Sequence, residues 1–402
     1  MKKLGLVIFI FLASMFMFTL SIFNCVESAI AAENELNIGG VFVLSGTGSE
    51  SWARLYDGIK AGAAWINDKG GLTIKGDKYL LKIIAEDTKF TPDGMIAAAN
   101  KLVFNDKVKF VIGGVPVPPM ESAIEKVLQD NKVFTMQIAG MGVKSEITIQ
   151  KSYTFSTLVS RAHHYAGWAN FVKLYPQPKT MAIAIPEDPT TIEDAGCLED
   201  AAKSHGVKPL GLVSFPFATY DFYPTWTKIL ALKPEIVVLG AGIPEIWATI
   251  VKQGRELGFK GPFCCYQDMA PATMVKIAGD KYATDIFSTS FDFTSPKMLP
   301  MVKEIARVIK QKIGADITPE SFRAFEAIWA LAQAIENAQS IDPTAVKDSF
   351  EKMTKIDTPT GSGKLGGLKT YGINRVVLRP FPMNRIMNGK IEHLGWLDSV
   401  LP

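Results

Sequence analysis

The feature that most constrains the fold of this chain is a repeated alternation of short apolar runs with segments of helical periodicity. The runs 38–44 and 108–112 predict strands, and the segment 55–66, which carries apolar residues on one face, predicts a helix. The alternation begins again near residue 180, with strands predicted at 180–185, 210–215, 235–240 and 262–266. Short apolar strands that alternate with helices form βαβ units, whose parallel sheets are covered on both faces. The pattern therefore predicts an α/β protein with two consecutive doubly wound halves.

The part of the chain after Phe291 is mainly helical in its pattern, and these helices have no strands of their own to pack on. We therefore expect the chain to return to the existing halves, which creates several linkers between two lobes and thus a hinge. A length of 402 residues is also long for a single hydrophobic core. The expected division is lobe 1 at 36–157 plus 290–357, and lobe 2 at 158–289 plus 358–402.

The first residues have the order of a secretory signal peptide. Lys2 and Lys3 precede an apolar run at 4–23, and a small-x-small triplet at 29–31 follows it. We predict that residues 1–31 are removed and that the mature chain is periplasmic. One alternative is a retained membrane anchor, since the run has roughly the ~20 residues that a bilayer requires. Another is lipidation at Cys25, although the residues before it fit a lipoprotein signal poorly.

Charge and cysteine content argue against several classes of partner and site. The chain has 43 Lys and Arg against 40 Asp and Glu and no basic block, so neither nucleic acid nor an anionic membrane surface is expected as a partner. Three cysteines follow the predicted signal, Cys197, Cys264 and Cys265. They lack the spacing and the histidine neighbours of a metal site, and we interpret them as buried structural residues.

The motifs for catalysis and cofactor binding are incomplete. The glycine-rich stretches 45–49 and 240–245 lack the third small residue of a dinucleotide site. The stretch 361–364 is followed by Leu365, where a phosphate loop needs Ser or Thr. No Gly-x-Ser-x-Gly elbow occurs, and the four histidines lack metal-site spacing. We therefore expect no cofactor, no metal and no enzymatic activity.

Ligands of open α/β sheets bind outside the carboxyl ends of the strands. At these ends Ser45 lies in a loop rich in hydroxyls and glycines, and Trp52 and Tyr266 are candidates for stacking on a flat or apolar ligand. The histidine pair 163–164 lies beside Arg161. This polar cluster has two interpretations, a solvated helix start or a cationic wall that faces a ligand at the junction of the two halves.

A set of sequence blocks at 38–46, 58–71, 97–103, 110–114 and 254–259 extends over most of the mature chain. Together these blocks resemble the branched-chain amino acid (Leu/Ile/Val) binding proteins. The resemblance implies a type I periplasmic binding fold, in which two Rossmann-like lobes are joined by three hinge crossovers and close on a small ligand. It also implies delivery of that ligand to the permease and ATPase subunits of an ATP-binding cassette (ABC) importer. We expect a monomer.

The expected ligand positions depart from this family. Its amino acid binders have a serine-rich loop after the third strand and an Ala-Thr pair after the fourth; the matching loops here are the proline-rich 115–119 and 137–140. The acidic residue that takes the ammonium matches Gln267, with Asp268 beside it. A buried ammonium without a charged partner is costly. We therefore expect a small apolar or aromatic carboxylate, amide or amino-acid-like ligand, with Arg161 pairing with the carboxylate.

The predicted ligand residues come from the strand ends and from the resemblance: Ser45, Trp52, Val117, Pro118, Ala139, Gly140, Arg161, Gly242, Tyr266, Gln267 and Asp268. Three alternative functions stay open. They are a true branched-chain amino acid binder, a ligand-sensing receptor that uses the same clamp, and an exported enzyme on a similar scaffold.

Overall fold

The computed structural model describes residues 34–46, 49–113, 118–138, 143–145, 147–158, 160–216, 219–240, 242–266 and 270–401. The predicted signal segment 1–31, with Cys25, lies outside these residues. No helix within the described ranges is long and apolar enough to cross a membrane.

The chain first alternates strands and helices, as its sequence predicts. The elements are β1 (Asn34–Phe42), α1 (Ser49–Asn67), β2 (Leu72–Ile74), β3 (Asp77–Asp87), α2 (Pro92–Asn100), a π-helical turn (Lys101–Asn105), β4 (Phe110–Gly113), α3 (Pro118–Asp130), β5 (Phe134–Gln137) and β6 (Thr154–Ser156). β1 pairs in parallel with β3 and β4, β4 with β5, and β5 with β6. Apolar clusters on both faces of this sheet explain why its strands read as continuous apolar runs.

A second alternation forms the other lobe. Its elements are α4 (Ser160–Leu174), β7 (Thr180–Pro186), α5 (Pro189–Lys203), β8 (Lys208–Phe215), α6 (Tyr223–Leu232), β9 (Ile236–Leu239), α7 (Pro244–Glu256), β10 (Phe263–Cys265), α8 (Pro271–Ala278) and β11 (Ile286–Ser288). These five strands are parallel and lie in the order β8–β7–β9–β10–β11. Two apolar clusters cover the two faces of this sheet.

The C-terminal part of the chain contributes to both lobes. Its elements are α9 (Pro300–Ile313), α10 (Pro319–Ala338), α11 (Pro343–Phe350), β12 (Ile356–Thr358), β13 (Gly361–Gly366), α12 (Leu368–Tyr371), β14 (Val376–Leu378), β15 (Phe381–Met387) and β16 (Lys390–Leu397). Helices α9 to α11 pack on the first sheet. The complete sheets have the orders β12–β13–β14–β6–β5–β4–β1–β3–β2 and β16–β15–β11–β10–β9–β7–β8.

The chain crosses between the lobes three times. The crossovers lie between β6 and α4, between β11 and α9, and between β14 and β15. The predicted fold class, two doubly wound α/β lobes joined by three hinge crossovers, is therefore confirmed.

One expected boundary is wrong. The prediction places all of 358–402 in lobe 2, but β13 and β14 extend the first sheet, where Val376 pairs with Ser156. Only β15 and β16 join the second sheet, with β15 antiparallel to β11. A short strand carries no local signal for the sheet that it joins, because its partner lies far away in the sequence.

The block 58–71 of the family resemblance is explained by the packing of lobe 1. Helix α1 lies against α10, and an added Cβ at Gly58 would lie 2.1 Å from the carbonyl oxygen of Ser321. An added Cβ at Gly62 would lie 2.4 Å from Cγ2 of Ile328. These glycines allow the two helices to approach closely, so this part of the block supports the fold rather than a ligand contact.

Candidate ligand-binding site

In the described part of the chain, a hydrogen-bonded contact joins the carboxyl edges of the two sheets. Ser145, in the loop that follows β5, donates its backbone N–H and its hydroxyl to the carboxylate of Glu193, near the start of α5, at 3.3 and 2.5 Å. Both elements follow the carboxyl end of a parallel strand. The region beside this contact is therefore where the fold places a ligand.

Ser45, after β1, is fixed by Asp87 at the end of β3. Its hydroxyl and backbone N–H donate to the Asp87 carboxylate at 2.5 and 3.3 Å, and the N–H groups of Leu44 and Lys89 donate at 2.9 and 3.0 Å. Burial acts to raise the pKa of Asp87, but these hydrogen bonds, that of the Ser45 hydroxyl first, lower it below its ordinary value. The hydroxyl proton of Ser45 is thus directed to Asp87, and its remaining capacity toward a ligand is as an acceptor.

The predicted stacking residues lie deeper than the prediction expects. Trp52 is partly buried between the two apolar clusters of lobe 1. Tyr266 is fully buried, and its ring packs edge-on against Trp168 with the ring centroids 5.7 Å apart. An added Cβ at Gly167 would lie 2.4 Å from the same ring. The ring of Tyr266 therefore packs α4 onto the end of β10, and its stacking on a ligand stays a prediction.

Gly242 forms part of the turn into α7. An added Cβ there would lie 3.1 Å from Nε1 of Trp247, whose indole N–H donates to the carbonyl of Gly240 at 3.0 Å. This turn therefore places backbone rather than a side chain at the end of β9. Pro118 is the first residue of α3. The other predicted ligand residues lie outside the described part of the chain: Val117, Ala139, Gly140, Gln267 and Asp268.

Arg161 lies in the first turn of α4, directly after the first crossover, and only 8% of its surface is exposed. Within the described residues it forms no ion pair, and its Nε–H has no hydrogen-bond acceptor. Arg161 also lies close to Cys197 of α5. Burial raises the pKa of that thiol to about 12, and the nearby charge of Arg161 acts in the opposite direction. A buried guanidinium without a partner is unfavourable until an anion binds to it.

His164 connects the two helices that surround Arg161. Its Nε2 lies 2.8 Å from Oδ1 of Asp194 on α5, and both side chains are fully buried. The pair therefore fixes α4 relative to α5, and the start of α4 is not a solvated helix end.

His163 belongs to the hinge. Its Nδ1 lies 3.3 Å from the hydroxyl oxygen of Thr289 in the second crossover, and its ring stacks on Phe381, just after the third, with centroids 4.0 Å apart. Burial, and then the electrostatic effects of Arg379 and His164, hold the pKa of His163 well below its ordinary value. His163 is thus neutral at neutral pH and adds no positive charge to the cationic wall predicted beside Arg161, which stays a prediction.

Arg379, in the third crossover, forms a junction that the sequence does not reveal. Its Nε donates to Oε1 of Glu326 on α10 at 2.5 Å, and both side chains are buried. The guanidinium carbon lies 5.4 Å from the ring centroid of Phe291 and 5.7 Å from that of Phe322. This junction, formed by Arg379, Glu326 and the aromatic rings around them, anchors the crossovers to lobe 1.

Cys197, Cys264 and Cys265 are buried, as their interpretation as structural residues predicts. Burial raises the pKa of Cys264 far above its ordinary value, which keeps its thiol protonated and unreactive. A separate open groove of about 490 Å³ lies between the second crossover and the β15–β16 hairpin, lined among others by Asp292, Lys297 and His393. Among the predicted ligand residues that the structure describes, none lines this groove.

Comparisons with known proteins agree with this arrangement. A sequence model of the periplasmic binding protein family matches residues 35–372. The leucine-binding protein LivK of Thermotoga maritima superimposes with a TM-score of 0.71 at 19% identity, over 90% of this chain and 99% of that one. LivJ of Streptococcus pneumoniae, in complex with isoleucine, gives 0.71 at 18% identity over 92% and 100%. An ABC transporter solute-binding protein of Rhodopseudomonas palustris, in complex with p-hydroxybenzoic acid, gives 0.74 at 19% over 92% and 98%.

Two hinged lobes that meet at the carboxyl edges of their sheets define a solute-binding protein. The chain belongs to the periplasmic binding protein family. The resemblance predicted from its sequence blocks is confirmed, and family membership implies a solute-binding role outside the cytoplasm.

Proposed function

We propose that this protein captures a small aromatic or apolar carboxylate between its lobes and delivers it to the permease and ATPase subunits of an ABC importer. The observation that supports the ligand class is the buried guanidinium of Arg161, which has no partner among the described residues. Two other buried arginines are each paired, Arg379 with Glu326 and Arg375 with Glu351. A ligand carboxylate would supply the acceptors that the protein leaves out at Arg161.

The preference for an acid without an ammonium group rests on charge. Gln267 occupies the position that matches the ammonium-binding acid of the family, and Arg161 would repel an ammonium placed near it. Proteins similar to this one have been solved with isoleucine and with p-hydroxybenzoic acid, so the fold accommodates both classes of ligand. The side chains at Arg161 and Gln267 favour the second class.

The remaining parts of the proposal concern the rest of the cleft and the mature protein. Ser45, Trp52 and the turn at Gly242 are proposed to line the cleft, together with Val117, Pro118, Ala139, Gly140, Gln267 and Asp268. We further propose that residues 1–31 are removed on export, that the mature protein is a periplasmic monomer, and that it catalyses no reaction. Amino-terminal sequencing of the exported protein tests the cleavage, and a terminus at Met1 or a lipid on Cys25 would contradict it.

Isothermal titration calorimetry with 4-hydroxybenzoate, benzoate, benzamide and leucine tests the ligand class. We expect the acids to bind more tightly than benzamide and leucine. Arg161→Met keeps the length of the side chain and removes its charge, so it should weaken acid binding by about 100-fold, the usual order for truncating one side of a buried charged pair. Arg307→Met, which removes an exposed arginine of lobe 1, is the matched control and should leave affinity unchanged.

Two results would contradict this proposal. Micromolar binding of leucine without binding of either acid would identify an amino acid binder. Equal affinity of the Arg161→Met variant and the unmodified protein for 4-hydroxybenzoate would remove Arg161 from the site.

A further inference from the structure

One residue of lobe 1 places both of its donors on one carboxylate of lobe 2. The backbone N–H of Ser145 reaches Oε1 of Glu193 at 3.3 Å, and its hydroxyl reaches Oε2 at 2.5 Å. Hydrogen bonds to an ionised carboxylate are roughly twice as strong as those between neutral groups. We call this contact the Ser145–Glu193 latch. It joins the loop after β5 to the start of helix α5, and both follow the carboxyl end of a strand, so it spans the cleft edge of the two lobes.

The surroundings of the latch connect it to the proposed ligand site. Ile147, two residues after Ser145, is buried in a small apolar cluster with Ala162 of α4. On the other side, Asp194 follows Glu193 directly and is bound to His164 of α4. The loop of lobe 1 is therefore attached to the α4–α5 unit of lobe 2, and Arg161 belongs to that unit.

We propose that Glu193 is a positioning residue that favours closure of the lobes over the ligand without touching the ligand itself. Its hydrogen bonds with Ser145 form only when the loop after β5 lies against the start of α5, so they stabilise the closed state relative to an open one. When only the closed state holds the ligand, a lower population of that state reduces the apparent affinity in proportion. The effect on affinity rests on the proposed function, whereas the latch contact does not.

The affinity effect is measured as the dissociation rate of 4-hydroxybenzoate in stopped-flow experiments with the full mature chain. Glu193→Ala should raise this rate on the order of tenfold, because changes within one binding site act mainly on dissociation. Glu193→Gln should restore most of the effect, since its amide accepts from the N–H of Ser145 and donates to the hydroxyl. Ser145→Ala keeps the backbone donor and should have an intermediate rate. The matched control is Glu199→Ala, which removes another carboxylate of α5, one that pairs with Lys203 at 3.1 Å.

The contact itself is tested without ligand by amide hydrogen exchange. The peptide that contains Ser145 should exchange faster in Glu193→Ala than in the unmodified protein, Glu193→Gln or Glu199→Ala, because its amide loses an acceptor. Unchanged exchange would overturn the latch. Faster exchange with an unchanged dissociation rate would overturn the positioning role, even if the variant were less stable. Failure of the unmodified protein to bind any acid would overturn the proposed function, and the exchange experiment would then decide on the latch alone.

Discussion

Two arginines of this protein are equally buried and differently satisfied. Arg161, at the edge of the cleft, and Arg379, at the third crossover, each have 8% of their surface exposed. Arg379 donates to the buried carboxylate of Glu326 and lies against two phenylalanine rings. Arg161 forms no ion pair within the described part of the chain, and its Nε–H has no acceptor.

Under the proposed function, the difference separates a structural charge from a ligand-binding one. Burying a charge costs free energy, and a protein can offset that cost with its own opposite charge or leave the cost to be offset by a ligand. Arg379 shows the first solution, and the hinge keeps its geometry as a result. The proposed function assigns the second solution to Arg161, so the comparison predicts opposite consequences for stability and for binding when either region is altered.

The largest expected effect is at the hinge. Glu326→Ala leaves the guanidinium of Arg379 buried without its carboxylate, which should destabilise the protein by about 3–5 kcal/mol. Urea unfolding followed by circular dichroism measures this change. The double variant Arg379→Met with Glu326→Leu is the control, since replacing both charges by apolar groups of similar size should cost much less. A loss below about 1 kcal/mol for Glu326→Ala would show that water or a relaxed loop compensates Arg379.

A smaller effect concerns pH and the same junction. The pKa of His163 is held well below 6.5 by burial and by the electrostatic effects of Arg379 and His164, so the unfolded chain takes up this proton first as the pH falls. The stability that neutral His163 contributes is therefore fully present above about pH 6.5. Below that pH the free energy of unfolding falls by up to about 1.4 kcal/mol per pH unit. His163→Gln should flatten the stability curve between about pH 6.5 and pH 5.

The matched control for this pH effect is His205→Gln, which changes a histidine outside the hinge that bonds to the carbonyl of Ala201 in its own helix. Only the difference between the two variants is informative, because carboxylates also titrate over this range. Parallel stability curves for the two variants would show that the pKa of His163 is not lowered in the folded protein.

Much of the fold follows from local pattern. Strands such as β7 and β9 are buried on both faces, so their sequences are continuous apolar runs that need no knowledge of distant partners. The lobe membership of β13 and β14 could not be predicted in this way. Their pairing depends on contacts such as Val376 with Ser156, which no local period records.

The site was predictable in part for a similar reason. The sequence indicates Arg161 as a charged residue at the junction of the two halves, and the structure places it there in a buried position. The burial of Tyr266 could not be predicted, because an aromatic residue at a strand end has the same sequence signal whether its ring faces the core or the cleft. The pairs Ser145–Glu193 and Arg379–Glu326 join residues far apart in the sequence, and only the folded chain brings them together.

The smallest expected effect on stability is at Arg161, where the comparison is sharpest. Arg161→Met removes a buried charge that has no partner among the described residues. Without ligand, the free energy of unfolding should therefore fall by no more than about 0.5 kcal/mol or should rise. Such a result is common for residues kept for function rather than stability. Urea unfolding with and without 4-hydroxybenzoate measures both sides of the difference. The ligand should stabilise the unmodified protein and leave the variant unchanged, since stabilisation requires binding to the folded state. A loss of stability as large as that of Glu326→Ala would show that Arg161 is paired by the protein itself, and the two arginines would then be equivalent.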